Sequence, residues 1–327
     1  MQTQGSDSAA VAMSTVYYRT FSGRHPPCRR VRTGERVVTQ TIDASGRDAR
    51  GEVCHPESGN PLTGPFFIEG AEPGDAVCIH IHALRLNRDW GYTKYRLIPE
   101  ALEPAAVEAL YPRNYKPDEV IPGRSDVVRW NIDRGAGTVR LHEPHSERVD
   151  LHFPAVPMLG CIGVAPAGDF SPTSTPAGSY GGNLDYNEVR EGASVILPVY
   201  HPGALLFVGD GHALMADGEP CGNGVETSMD VEFSVDLRKQ AAPRGPRIEN
   251  VEWIISIGAQ AEFVSSLDRA LQMATTDMIE WLTGEYRLEP WAAHLLIAMQ
   301  GRYDVVTVAG SMALRIPKKY LPCPKPD

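Results

Sequence analysis

The amino-acid sequence predicts a mainly β protein: a β-sandwich or barrel-like body over residues 13–240, followed by a smaller α+β region over 241–320. Three observations carry that expectation. Up to about residue 240 the chain runs as short stretches that alternate apolar and polar side chains, the period of a half-buried strand. Glycine and proline punctuate them, 31 and 27 in 327 residues, which marks turns and weakens long helices. After Leu237 the pattern changes: RKQAAPRGP at 238–246 reads as an exposed connection, and the apolar period beyond it becomes largely helical.

In chain order, Val37–Ile42 is the first strand candidate. Ala76–Leu86, AVCIHIHALRL, is the clearest, with Val77, Ile79 and Ile81 on one face and Cys78, His80 and His82 on the other. The HxH pair reads first as polar surface, although both imidazoles share a face. A short helix is expected at Pro104–Leu110. Thr138–Leu141, Ser194–Val199 and Met229–Leu237 are further strands, and many short strands with turn signals between them imply hairpins in a sandwich or barrel. Val251–Ile257 is a strand candidate. Glu262–Trp281 is the strongest helix, because Phe263, Leu267, Ala270, Leu271, Ala274, Met278 and Trp281 recur at three- and four-residue steps. Gly284 supplies its stop. A second helix has Pro290 in its first turn, carries Trp291, Leu295, Ile297 and Met299, and ends near Gly301. Asp304–Val308 and Met312–Ile316 follow as strands. The first dozen residues and the tail after Lys318 are expected to be mobile.

Charge and composition exclude several classes. The 31 basic and 41 acidic residues give a net charge of −10, which argues against a nucleic-acid partner. No apolar run approaches the ~18 residues that would span a bilayer, so no membrane partner is expected. The opening MQTQGSDSAA lacks a charged segment followed by an apolar one, so a cytoplasmic protein is expected. Cys28, Cys54, Cys78, Cys161, Cys221 and Cys323 form no CxxC pair, which excludes a zinc ribbon and suits buried thiols in a reducing compartment.

The densest polar cluster is GDGHALMADGEPCGNGVE at 209–226, where Asp210, His212, Asp217, Glu219 and Glu226 lie between glycines. Glycines let the chain turn sharply and approach a ligand closely. Asp, His and Glu together suit a divalent metal, or an acid–base set without one. The apolar run Ala204–Val208 would deliver this loop from a buried strand. Composition leaves a solvated surface hairpin equally open. GSYGGNLD at 178–185 could present backbone donors beside Asn183 and Asp185, or form an ordinary turn. PFFIEGAEPGD at 65–75 carries Glu69 and Glu72 next to a Pro73-Gly74 turn signal. Asp43, in TIDASG, either points into a site from a strand end or closes an Asx turn. A nucleophile elbow, a phosphate-binding P-loop, a dinucleotide fingerprint and HExxH are all absent from the sequence.

Taken together these blocks resemble the acetamidase/formamidase family of amide hydrolases. The resemblance runs from about Thr33 to Pro317. It rests on TIDASG at 41–46, PLTGPFFIEGAEPGD at 61–75, FPAVPMLGCIGVAPAG at 153–168, GGNLD at 181–185, the long block at 191–237, and RIPK at 315–318, in that order. It implies a β-rich two-part fold, hydrolysis of a small formamide- or acetamide-like amide to ammonia and a carboxylate, a divalent metal such as zinc or calcium, and a homodimer or larger homo-oligomer. Carried over by position, the family's polar motif residues fall on Asp43, Glu69, Glu72, Asn183, Asp185, Asp210, His212 and Glu226. The HIHALRLNRDWGYT segment at 80–93 departs from the family pattern and leaves open a branch that acts on a different C–N substrate. Cys161 stands where a nucleophile is not expected.

Amide hydrolysis needs an activated water, stabilisation of the oxyanion and a proton for the leaving nitrogen. The expectation is that Asp43, Asp210, His212 and Glu226 bind the metal. Glu72 would act as base and acid, while Asn183 and Asp185, in a loop whose amides could serve as oxyanion donors, would complete the catalytic set. A metal-free amidase using a Glu72–Glu226 carboxylate pair, and a non-catalytic β-sandwich that binds a small ligand or Ca²⁺, are the alternatives.

Overall fold

The protein, seen in a computed structural model, is described over residues 11–12, 16–110, 120–143, 145–259 and 266–322. Two β-sheets pack face to face. A nine-stranded sheet runs, from edge to edge, through Val11–Ala12, Val37–Thr41, Met229–Arg238, Ala76–Leu86, Ser194–Pro198, Arg247–Glu249, Trp253–Gly258, Ser311–Pro317 and Arg302–Thr307. An eleven-stranded sheet is built around Leu206–His212, which pairs antiparallel with Met158–Gly163, Leu62–Ile68 and Glu226–Thr227. Neither strand order closes on itself among the described residues, so the body is a sandwich rather than a barrel.

The alternation read from Ala76–Leu86 explains the layering. Val77, Ile79 and Ile81 enter the main core with Val195, Val231 and Phe233 of their own sheet, and meet Leu62, Leu159, Ile162, Phe207 and Val208 of the other. On the opposite face the chain does two different things. Cys78 is covered by helices, whereas His80 and His82 stay half-buried, bonded to Ser194, Asp236 and Ser234. The histidine pair is thus polar surface on a strand.

Helix α1 spans Pro104–Leu110, α2 spans Leu267–Gly284 and α3 spans Pro290–Gln300. The start expected for α2 at Glu262, with Phe263, lies outside the described residues. Its stripe of Ala270, Ala274, Met278 and Trp281 packs on Ile254, Leu314 and Ile316. Each of the large side chains buried there contributes roughly 1.5–3 kcal/mol. Asp277 is buried beneath Arg247 at 2.8 Å, whose guanidinium also lies 4.6 Å over the Trp281 ring. α3 leaves Trp291, Leu295 and Met299 exposed, three positions at four-residue steps. No helix among the described residues is long and apolar enough to cross a membrane.

The predicted strands fall within about two residues of those observed. Strands from 241–320 extend the same nine-stranded sheet as strands from 13–240, so the composition shift after Leu237 runs through one layer. Lys318–Tyr320, in the tail expected to be mobile, forms a 3-10 turn.

Candidate functional site

Met158–Gly163, Leu206–His212 and Glu226–Thr227 converge beside a cavity of about 420 Å³. Leu206–His212 is buried at every position. Asp210 and His212 are two residues apart, so the strand period sets them on one face. The antiparallel register puts Glu226 opposite His212, and Tyr92 opposite Glu226. One ligand atom each from Asp210, His212 and Glu226 lies within 4.8 Å of the others, and Asp185, His212 and Glu219 form a second such group.

Three asparagines hold the three buried acids. Asn60 Nδ2 donates to Asp210 Oδ2 at 3.0 Å, Asn223 Nδ2 donates to Glu226 Oε1 at 2.9 Å, and Asn183 Nδ2 donates to Asp185 Oδ2. Each acid is thereby anchored through one oxygen. The others, Asp185 Oδ1, Asp210 Oδ1 and Glu226 Oε2, are buried with no hydrogen-bond partner among the described residues, as are both ring nitrogens of His212. His212 Nε2 stands 3.2 Å from Glu226 Oε1 and 3.6 Å from Asp210 Oδ1, close enough for ion pairing but outside hydrogen-bond geometry. Buried polar atoms are rarely left so. Five in one place is what a bound cation or ordered solvent would satisfy.

The backbone is bent to make this arrangement. Asn60, Asp185, Asp210 and Glu219 all have φ between 45° and 56°, a left-handed conformation that costs roughly 1–2 kcal/mol for a residue with a Cβ. Such residues cluster where function holds them. Gly160 makes room below: a Cβ there would stand 2.5 Å from Asp210 Oδ2 and 2.6 Å from Asp185 Oδ1. At Gly224 a Cβ would stand 2.5 Å from His212 Nδ1.

The electrostatics follow from burial and crowding. Burial opposes charge on His212, but the carboxylates of Glu226 and Asp210 outweigh it and hold the imidazole pKa well above its usual value. Burial pushes Glu226 up to about 7 and Glu219 up to about 8, both against the pull of His212. Asp185 is raised well above the carboxylate range by burial, then by Glu219 and Asp210. Burial, with Asp210 and Asp185 beside it, also keeps Cys161 a neutral thiol, which donates to Asn183 Oδ1 at 2.8 Å. Also in the cavity lining, the Tyr92 hydroxyl shares a 2.5 Å hydrogen bond with Ser45 Oγ; burial, then Asp43 and Glu226, keeps that phenol protonated.

Of the residues predicted from sequence, the structure brings Asp185, Asp210, His212 and Glu226 together, with Asn183 bracing them. It does not bring Asp43 or Glu72 to them. Asp43 closes an Asx turn instead: Oδ1 accepts from the Ser45 and Arg47 amides, and Oδ2 accepts from buried Arg88 at 2.8 Å. Its carboxylate is therefore fully used, and its contribution is to shape the turn that carries Ser45. Glu72 is exposed beside the Pro73-Gly74 turn, outside the cavity lining, and Glu69 pairs with Arg30 and Arg32. The Asn183, Leu184 and Asp185 amides already donate to the Pro176, Gly182 and Gly160 carbonyls, so they are not free as oxyanion donors. Glu219 lines the cavity and was one of several acids in the 209–226 segment, with no signal to single it out beyond its place between Gly218 and Pro220. Asn60, Asn223 and Gly160 carried no signal of their own, since their roles appear only once distant strands are adjacent.

Comparison with known proteins gives a consistent result. The model of the acetamidase/formamidase family matches residues 15–175 and 170–299. A Schizosaccharomyces pombe protein that carries a formamidase name is 26% identical over 230 residues, 57% of this chain and 55% of that protein. The chain thus spans about half the length of the curated relatives it matches. Among solved structures, acetamidase from Yersinia enterocolitica superimposes with a TM-score of 0.75 at 26% identity, covering 96% of this chain and 94% of that one. A protein described as a predicted acetamidase/formamidase from the thermophile Thermoanaerobacter tengcongensis gives 0.74 at 27% identity, over 94% and 95%.

Proposed function

The chain belongs to the acetamidase/formamidase family, and from that premise we propose that it hydrolyses the carbon–nitrogen bond of a small amide to ammonia and a carboxylate. The observation that carries this reading is the set of three acids and one histidine whose unpartnered polar atoms face one another beside a cavity. The donor chemistry fits a divalent cation, with Asp210, His212 and Glu226 as the residues that would hold it. An imidazole in the set favours zinc, because calcium takes oxygen ligands. Bound there, the ion would supply positive charge to polarise the amide carbonyl and to acidify a water.

The chain's own residues supply the rest. Glu219 takes the place expected for Glu72: it lines the cavity in a group with Asp185 and His212, and burial raises its pKa to about 8 in the ion-free protein, which suits a group that exchanges a proton. It takes that proton from the attacking water and returns it to the departing nitrogen. A carbon–oxygen bond forms, the carbon–nitrogen bond breaks, and the nitrogen leaves as ammonia. Either Ser45 or Tyr92 donates in their shared hydrogen bond, which leaves the acceptor's own proton free to meet the developing oxyanion. Asn60, Asn183 and Asn223 fix the acids in place.

Metal analysis of protein purified without chelators, paired with ammonia release from formamide, acetamide and larger amides, tests the proposal. One ion per chain, lost together with at least a hundredfold in activity in His212→Ala, is expected. Full ion content and full activity in that variant would remove the ligand assignment. Undiminished turnover after chelation would favour a metal-free acid–base pair of Glu219 and Glu226, and ion binding without turnover a non-catalytic calcium or ligand module. A homo-oligomer also belongs to this reading, supported by the exposed Trp291, Leu295 and Met299 stripe.

A further inference from the structure

The cavity is larger than the small amides call for. At about 30 Å³ per water, 420 Å³ corresponds to a dozen or so waters, whereas formamide and acetamide have only three and four heavy atoms. Its walls are mixed in character. Asp185, Asp210, Glu219 and Glu226 supply acids. Ile98, Pro176 and Val308 present apolar surface, and two cations, Lys94 and Arg124, reach the lining. The cations are not equivalent. Arg124 is held by Asp126 through two bonds of 2.5 and 2.8 Å. Half-buried Lys94 forms no ion pair among the described residues; its ammonium approaches the Gly222 carbonyl at 3.4 Å and interacts electrostatically with Glu219.

Lys94 follows Tyr92 by two residues on the strand Trp90–Lys94, so both side chains share a face, and the strand rise separates them by roughly 7 Å. Tyr92 is paired with Glu226. An amide group placed beside Tyr92 and Glu226 is therefore set off from the strand position of Lys94 by about the length of a short aliphatic spacer.

We infer that the substrate is an aliphatic amide bearing a carboxylate at its far end, the monoamide of a short dicarboxylic acid, with Lys94 as the counterion for that carboxylate. This rests on the amide-hydrolase reading above. Hydrolysis then converts the monoamide and water into a dicarboxylate and ammonia, with the distal carboxylate unchanged. Arg124, already neutralised by Asp126, contributes no such pairing.

The test compares succinamate with its uncharged isostere 4-oxopentanamide in the purified full-length protein, with acetamide as reference. A charge-assisted contact predicts a kcat/KM for succinamate roughly ten- to a hundredfold above that for the isostere. In Lys94→Met the ratio collapses to within about threefold, and Lys94→Arg retains most of it. A thermal-shift measurement with succinate, the dicarboxylate product, gives an activity-independent readout: succinate raises Tm in the wild type and not in Lys94→Met. Equal kcat/KM for the two amides in the wild type overturns the inference and leaves amide hydrolysis standing. So does an equal fall for both in Lys94→Met, which would mean that Lys94 only balances Glu219. Succinate binding that depends on Lys94, without ammonia from any amide, sinks the hydrolase reading and retains the anion subsite.

Discussion

Two buried acid clusters lie near one another in this molecule, and they are built on opposite principles. Around Asp43 both carboxylate oxygens are used. Arg88, 2% exposed, donates to Asp43, to the Asp48 carbonyl and to the Trp90 carbonyl, and its guanidinium lies 3.7 Å over the Trp90 ring. Around His212 three carboxylates are each anchored through one oxygen and left open at the other. Both clusters are out of water, so burial alone does not distinguish scaffold from site. What distinguishes them is whether the lone pairs are spent.

The largest effect that could break this contrast is expected at Arg88. Arg88→Met strands the Asp43 carboxylate without its partner and should destabilise the fold by about 3–5 kcal/mol, read as a lowered midpoint in urea denaturation. A loss below ~1 kcal/mol would mean that the two clusters are not different in kind. Next is the pH dependence of the metal-free protein. Glu226 and Glu219 titrate near 7 and 8 in the fold but near 4.5 when unfolded, and the His212 pKa is likewise raised. The folded state therefore keeps protons that the unfolded chain has released. Stability under chelation should be greatest near pH 5 and fall as pH rises to about 8, by up to ~1.4 kcal/mol per pH unit for each proton retained. Added zinc should flatten that slope, whereas a slope unchanged by zinc would count against the ligand set. The smallest effect is expected from Gly160→Ala, whose methyl group displaces Asp210 and Asp185. Zinc affinity should weaken by roughly 10–100-fold, measured by competition with a chromophoric chelator.

The fold was legible where periodicity is strong. Ala76–Leu86 alternates because one of its faces meets a second sheet, and Pro104–Leu110 and Pro290–Gln300 start where proline permits. The site was legible in part. Asp210, His212 and Glu226 stood out because glycines bracket a rare mixture of acid and imidazole on a buried strand. Asp43 and Glu72 did not come to the cavity for reasons already in their surroundings: TIDASG satisfies its own carboxylate within two to four residues, and Glu72 sits beside a Pro-Gly turn that holds it in water. The asparagine braces were illegible. Asn60 meets Asp210 across 150 positions of chain, and no local pattern encodes a partner that distant.

The turn at 307–311 has a consequence beyond closing a hairpin. It lines the cavity from the C-terminal side, and Val308 N donates to the Gly218 carbonyl at 2.9 Å, one residue before Glu219. Glu219 is thus propped by a segment that contributes none of the clustered acids. Trimming the chain after 240 would unroof the chamber. Exchanging only those five residues between relatives would redraw its far wall while leaving Asp210, His212 and Glu226 where they are.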